Sequence, residues 1–267
     1  MANLAFPQLS SGAFAQYPIR KSMKIQTIKN ILADGSMLVA SDPGAGQIVW
    51  TLSYVGLDAT DVSAIQSHFE ACSGPLRAFT FLDPTDNLLT YSADLTQSPW
   101  ITPTGVTIAS GVADPTGGSS GFSITNGGSA TQQITQTLAV PVNYQYCFSF
   151  YASALMNGTC NLVRSSANAQ QIDACTVGPA WSRILSSGAL NDTGTGLSVA
   201  ISLAAGQSLT LFGPQLEPQV SPSRCRPTYS NSGLYPNAHW AVSELIFTSN
   251  APNIFSTSFS IETSVWN

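Results

Sequence analysis

The chain has 267 residues, a formal net charge of −5, 43% hydrophobic residues and only 9% charged ones. That much apolar material supports a large core in one or two domains and excludes a disordered chain. All three lysines (Lys21, Lys24, Lys29) fall in one early stretch, so no basic stripe exists to hold phosphates, and nucleic acid is not an expected partner.

The five cysteines (Cys72, Cys147, Cys160, Cys175, Cys225) are odd in number and form no C-x-x-C pair. Buried reduced thiols, made in a cytosol, are expected instead of a disulfide framework or a zinc site. No run of 18 apolar residues suggests a membrane span. Ala13-Phe14-Ala15 imitates a signal-peptidase site without the basic and apolar regions that precede one, so the amino terminus is read as part of the mature protein.

In chain order, residues 1–18 read as an extended apolar arm carrying Phe6, Leu9, Phe14 and Tyr17. A strand over Lys24–Leu32, a turn at Asp34-Gly35 and a return over Ser36–Ala40 predict a hairpin. After a break at Asp42–Gly46, the period-two residues Ile48, Trp50, Leu52 and Tyr54 predict a strand with one buried face. One helix is expected over about 59–73. Asp58 or Thr60 would cap it, the stripe Val62, Ile65, Phe69, Cys72 would be buried, and Gly74-Pro75 would end it. Leu76–Leu82 is a further strand running into Asp83-Pro84.

From Asn87 to about Glu217 the sequence offers eight to nine short strand candidates parted by Gly, Ser, Asn and Asp clusters. The clearest are Thr131–Val140, Tyr144–Ala154, Cys160–Arg164, Trp181–Ser187, Gly196–Leu203 and Ser208–Leu216. This spacing predicts an antiparallel jelly roll. A Pro/Ser/Arg linker follows to Pro236, then two strands over Trp240–Thr248 and Ile254–Val265. Two strands cannot form a domain alone, so they are expected to return to the first module. The expected division is a discontinuous β-sandwich domain of residues 1–86 with 236–267, and an inserted jelly roll with its linker at 87–235.

Candidate chemistry is sparse. Gly117-Gly-Ser-Ser-Gly121 matches G-x-S-x-G by letters, but a strand-like Phe122-Ser-Ile-Thr follows where a nucleophile elbow needs a helix. His68 lies off the helix stripe and is expected to be solvated; His239 is expected in a turn or packing role. Asp83 and Asp86 are read as an Asx-type turn in preference to an acid/base pair or calcium ligands. Trp100, Trp181 and Tyr144 are candidate sugar-stacking residues, with core packing as the alternative. No cofactor, metal site or enzyme activity is expected. The sequons at Asn157 and Asn191 carry no meaning in a bacterial host.

Four segments together invite a comparison: Tyr17–Lys21, Ile48–Tyr54, the helix, and Phe79-Thr-Phe-Leu-Asp-Pro-Thr-Asp-Asn87. They resemble the distal tail protein family of long-tailed bacteriophages and gene transfer agents. Asn87-Leu-Leu-Thr-Tyr-Ser92, Gly213-Pro-Gln-Leu-Glu217 and Arg226-Pro-Thr228 resemble the ends of carbohydrate-binding-module-like jelly rolls of tail and tail-tip proteins. The resemblance implies a virion tail protein assembled in the bacterial cytoplasm. It would form a ring, commonly hexameric, between the tail tube and the tip or hub proteins, with the jelly roll projecting and available to host glycans. Phe6, Leu9, Phe14 and Tyr17 are the candidate ring contacts, because an apolar arm can lie on a neighbour; the alternative is that it covers its own sheet edge. A receptor-binding adhesin is the second reading. A glycan-active enzyme is the third, and it lacks a convincing carboxylate pair.

Overall fold

The computed structural model describes residues 4–41 and 46–265. The turn expected at Asp42–Gly46 falls almost wholly outside the described residues. The early strands are β1 (Arg20–Lys24), β2 (Thr27–Ile31), β3 (Met37–Ser41), β4 (Gln47–Leu57) and β5 (Phe79–Leu82), with helix α1 (Ala59–Ala71) before β5. The middle strands are β6 (Val106–Val112), β7 (Gly121–Asn126), β8 (Gln132–Leu138), β9 (Tyr146–Ser153) and β10 (Gly158–Ser165). After them come β11 (Gln170–Val177), β12 (Ser182–Gly188), β13 (Leu197–Leu203) and β14 (Ser208–Glu217). The chain closes with β15 (Leu234–Trp240), β16 (Phe247–Ala251) and β17 (Ile254–Ser264). The protein is thus mainly β, with one α-helix.

Two compact units emerge: Met1–Phe81 with Tyr235–Asn267, and Leu82–Leu234. The first is discontinuous. Its main sheet runs β1-β4-β17-β15-β5, with β16 added beside β17. β17 pairs antiparallel along nearly all of β4, from Phe255 opposite Leu57 to Ser264 opposite Gln47. Period two explains the sidedness of β4: Ile48, Trp50, Leu52 and Tyr54 are buried. On the other face the hydroxyls of Thr51 and Ser260 (3.2 Å) and of Ser53 and Ser258 (2.9 Å) pair across the strands.

The core of this unit is aromatic. Phe6 lies within 5.5–5.9 Å, ring to ring, of Phe14, His68, Phe81, Trp240 and Phe259. Asp58 caps α1 by accepting from Asp61 N at 2.8 Å. The buried line of the helix is Asp61, Ile65, His68 and Cys72, with Val62 and Phe69 only half-buried. The expected stripe is therefore rotated. Two polar partners drive the rotation: Asp61 accepts from Ser10 N at 2.7 Å, and His68 meets Trp240.

The second unit is an antiparallel β sandwich of jelly-roll type. One sheet runs β11-β10-β13-β8, the other β12-β9-β14-β7-β6. Tyr146, Phe148, Phe150 and Ala152 of β9 alternate into the core, as do Leu197, Val199, Ile201 and Leu203 of β13. A buried Arg164 joins the sheets, donating to Ser186 Oγ at 2.7 Å and to the Gly188 carbonyl, with Asp173 at 3.8 Å. This arrangement neutralises a charge that burial would otherwise penalise.

The strand expected over Lys24–Leu32 is two strands. β1 pairs β4, whereas β2 pairs only β3. Every residue of β1 and β2 is exposed.

Candidate functional site

The three segments that resemble jelly-roll ends, Asn87–Ser92, Gly213–Glu217 and Arg226–Thr228, converge within the sandwich unit. Asn87 is fully buried. Its amide donates to Pro214 O (3.0 Å) and Arg226 O (3.2 Å), and its carbonyl oxygen accepts from Leu89 N (3.1 Å) and Leu216 N (3.0 Å). Thr228 Oγ1 donates to Leu89 O at 2.5 Å, and Thr228 N donates to Ser92 Oγ at 2.8 Å. One asparagine therefore ties the entry of the module to its exit.

Gln215 and Glu217 explain the second motif. They point to the outer face of the five-stranded sheet, while Leu216 between them enters the core. Gln215 Oε1 accepts from Arg226 N at 2.8 Å, and Glu217 Oε2 accepts from Ser223 N at 3.0 Å. Both side chains hold residues 219–226 as a strap over that face. Arg183 holds the strap from β12, donating to Ser223 O and, at 3.0 Å, to Ser149 Oγ. Gly213 has φ +61, and a Cβ there would meet Cys225 Sγ at 2.3 Å, so only glycine fits under the strap.

Beyond the strap the same face carries Tyr151 and Phe212, half-buried, with ring centroids 6.2 Å apart. The Arg183 guanidinium lies 5.3 Å from the Tyr151 ring. A hydroxyl row continues from them across three strands: Ser153, Thr210 and Ser123 are in register. An aromatic pair beside hydroxyl groups and one cation is suited to a sugar, whose ring has an apolar face and a polar rim. Sequence reasoning missed this pair. The available signal was position: Tyr151 and Phe212 are the aromatics out of phase with Phe148/Phe150 and Leu209/Leu211.

The three sugar candidates from sequence do not meet. Trp100 is only 4% exposed and donates Nε1 to Tyr91 O at 3.0 Å; it is a packing residue, which corrects its candidacy as a stacking platform. Trp181, half-buried, precedes β12 at the Ser182–Ala152 end of its pairing with β9. Tyr144 lies near the opposite, Gly188–Tyr146 end, about 20 Å away by strand rise, and stacks on Tyr146. Burial raises the Tyr144 phenol to about 12.

The ring contacts expected from the arm are corrected likewise. Phe6, Leu9 and Phe14 are buried in the core of their own unit, and Ala5 bridges Thr80 on β5, so the arm covers its own sheet edge. Tyr17 alone of the four is exposed. The exposed apolar surface lies further on. Met23, Ile25, Ile28, Ile31, Met37 and Leu38 are all at least half exposed in β1 and the β2–β3 hairpin. An isolated two-stranded hairpin is marginal in water, and this one has no sheet partner among the described residues.

The remaining candidates are structural. His68 is buried, not solvated: Trp240 Nε1 donates to its Nδ1 at 3.2 Å, and burial lowers its pKa to about 4. His239 Nδ1 lies 3.1 Å from Pro75 O. Asp83 accepts from Thr85 N (2.8 Å) and Thr85 Oγ1 (2.7 Å), which is the Asx turn. The G-x-S-x-G letters form a loop wrapped around Asp114, which accepts from Gly118 N (3.1 Å) and Ser120 N (2.9 Å) and from Thr116. β7 follows the loop directly, so no elbow exists. Among the described residues no group of three His, Cys, Asp or Glu could hold a metal ion.

No family model and no curated protein matches this sequence. Solved structures give three instructive likenesses. The enzymatically active domain of bacteriophage CBA120 tailspike protein 4 is 14% identical, with a TM-score of 0.40; the match covers 51% of this chain and 22% of that one. TmCBM61, solved with β-1,4-galactotriose, is 15% identical with a TM-score of 0.37, covering 49% of this chain and 97% of that one. The CBM22-1 xylan-binding domain of Paenibacillus barcinonensis Xyn10C is 14% identical with a TM-score of 0.38, covering 54% and 95%.

Proposed function

We propose that this chain is a non-enzymatic structural component of a phage tail. The discontinuous unit assembles copies into a closed ring, hexameric as the sequence resemblance implies, between the tail tube and the tip proteins. The sandwich unit is a peripheral module on that ring. The observation that carries this reading is the β2–β3 hairpin: an apolar, exposed element with no further sheet partner among the described residues is an assembly element. The Asp83–Asn87 and Gly213–Glu217 motifs support the tail assignment. The scarcity of basic residues suits a wall that DNA must pass without adhering. Native mass measurement over a concentration series tests it: a closed oligomer of defined stoichiometry is expected, and a monomer at all concentrations overturns it.

A second reading, glycan contact by the sandwich, is favoured by the Tyr151–Phe212 pair and its hydroxyl row. Glycan-array binding that is lost in Tyr151→Ala and Phe212→Ala and kept in Trp181→Ala is expected. Binding indifferent to Tyr151 and Phe212 removes this face from consideration. Release of sugar from host envelopes by the purified protein would contradict the non-enzymatic assignment.

A further inference from the structure

A ring of identical copies needs two different surfaces on each copy, one to give and one to receive. The hairpin is the first. It leaves β1 at Lys24, opposite Gln47, and so projects from one end of β4. At the other end of β4, on the hydroxyl-lined face, lies a groove of about 410 Å3 bordered by Ser53, Val55, Ile246, Thr248, Ser256 and Ser258. Its two apolar side chains stand out of the protein, Val55 at 69% and Ile246 at 62% exposure. Gln47 and Val55 are about 26 Å apart at the usual strand rise.

The backbone of Val55 at the groove is already satisfied. Gln16 donates Nε2 to Val55 O at 2.9 Å and accepts from Val55 N at 2.8 Å, beyond Thr51, the last β4 residue that β1 pairs. What remains open is side-chain surface, which suits packing more than strand addition. Charge favours a second copy as the occupant. Residues 20–41 hold Arg20, Lys21, Lys24 and Lys29 against Asp34 alone, within a chain of net charge −5. The exposed Glu244 stands two residues before Ile246 at the receiving end.

We propose that the β2–β3 hairpin of one copy seats in the Val55–Ile246 groove of the next, so that the discontinuous units join head to tail. This rests on the self-assembly reading above and names its two surfaces. Hairpin residues such as Ile31, 79% exposed, would cover Val55 and Ile246, and Lys29 of the hairpin would approach Glu244. A heterologous contact of this kind forms a ring when its rotation closes.

Two full-length variants test it: Ile31→Asp with Leu38→Asp, which spoils the hairpin, and Val55→Asp with Ile246→Asp, which spoils the groove. All four sites are exposed, so each variant is expected to fold, which an unchanged far-UV circular dichroism spectrum and a cooperative melting transition check. Each variant alone is expected to be monomeric by native mass spectrometry. Mixed, they retain one good hairpin and one good groove, and should give a 1:1 dimer and nothing larger. If wild type assembles and the groove variant still assembles alone, the groove is not the receptor and this proposal fails while the ring stands. If wild type never assembles, the ring itself fails. Should a charge variant not fold, a photocrosslinker at position 31 in an isotope-mixed sample replaces it. Intermolecular crosslinks to residues 53–58 or 246–258 support the proposal, and crosslinks confined to another hairpin overturn it.

Discussion

The two units treat exposed β structure in opposite ways. The sandwich unit covers part of its outer sheet face with its own chain: Gln215, Glu217 and Arg183 hold the strap of residues 219–226, and Asn87 locks the strap's far end to the start of the module. The discontinuous unit leaves the β2–β3 hairpin outside its core, apolar and uncovered. Cover supplied from within a chain needs buried polar clamps, which cost much to leave unpaired and so appear as motifs. Cover supplied by another copy needs only apolar side chains, which look like any other strand.

That contrast can be broken most sharply at Asn87. Asn87→Ala removes two donated and two accepted bonds at a fully buried site, and unfolding in denaturant should show a loss of about 4 kcal/mol or more. A loss within surface-mutation range would mean that the clamp is incidental.

Acid separates the two units next. His68 is neutral when folded, with its pKa lowered to about 4 by burial, but protonates near 6.5 when unfolded. The unfolded state therefore binds the extra proton. Stability is full above about pH 6.5 and falls between there and about 4, by on the order of 3 kcal/mol. In the sandwich the groups to watch are carboxylates. Asp114 is held down to about 2, chiefly by the Thr116 hydroxyl and then by backbone amides of its loop. Its contribution is present above about pH 4 and is lost only as pH falls towards 2. Denaturation followed by Trp240-sensitive fluorescence should thus show the discontinuous unit weakening first, and His68→Gln should flatten that dependence.

A smaller effect is expected at the strap. Glu217→Gln keeps the shape but weakens the acceptor for Ser223 N and should cost about 1–2 kcal/mol, read as a lower denaturation midpoint and faster hydrogen exchange over residues 219–226. The smallest change in stability belongs to the hairpin. At dilution where copies are apart, Ile31→Asp should lower the unfolding free energy by no more than about 0.5 kcal/mol, because the side chain leaves no core.

The sequence made some of this legible for physical reasons. Strands with an apolar residue at every second position, such as residues 48–54, 146–152 and 197–203, declare a buried face and were readable directly. Edge strands bury too little to show one: Gln170–Val177 is exposed along most of its length, and Val106–Val112 carries a bulge at Gly111. His68 was misread because the α1 stripe was assigned by hydrophobicity alone, whereas its buried line is set by polar partners at Ser10 and Trp240. The arm was misplaced for a related reason. Phe6 and Phe14 fill an aromatic cluster that no local pattern reveals. Tyr151 and Phe212 were visible only as aromatics out of phase with their strands.

The uncovered hairpin is proposed to join copies of this chain. Native mass of the wild-type protein, set beside the Ile31→Asp, Leu38→Asp variant at matched concentration, tests it most directly. A closed oligomer for wild type and a folded monomer for the variant is the predicted result. A wild type that stays monomeric, or a variant that assembles unchanged, would contradict it.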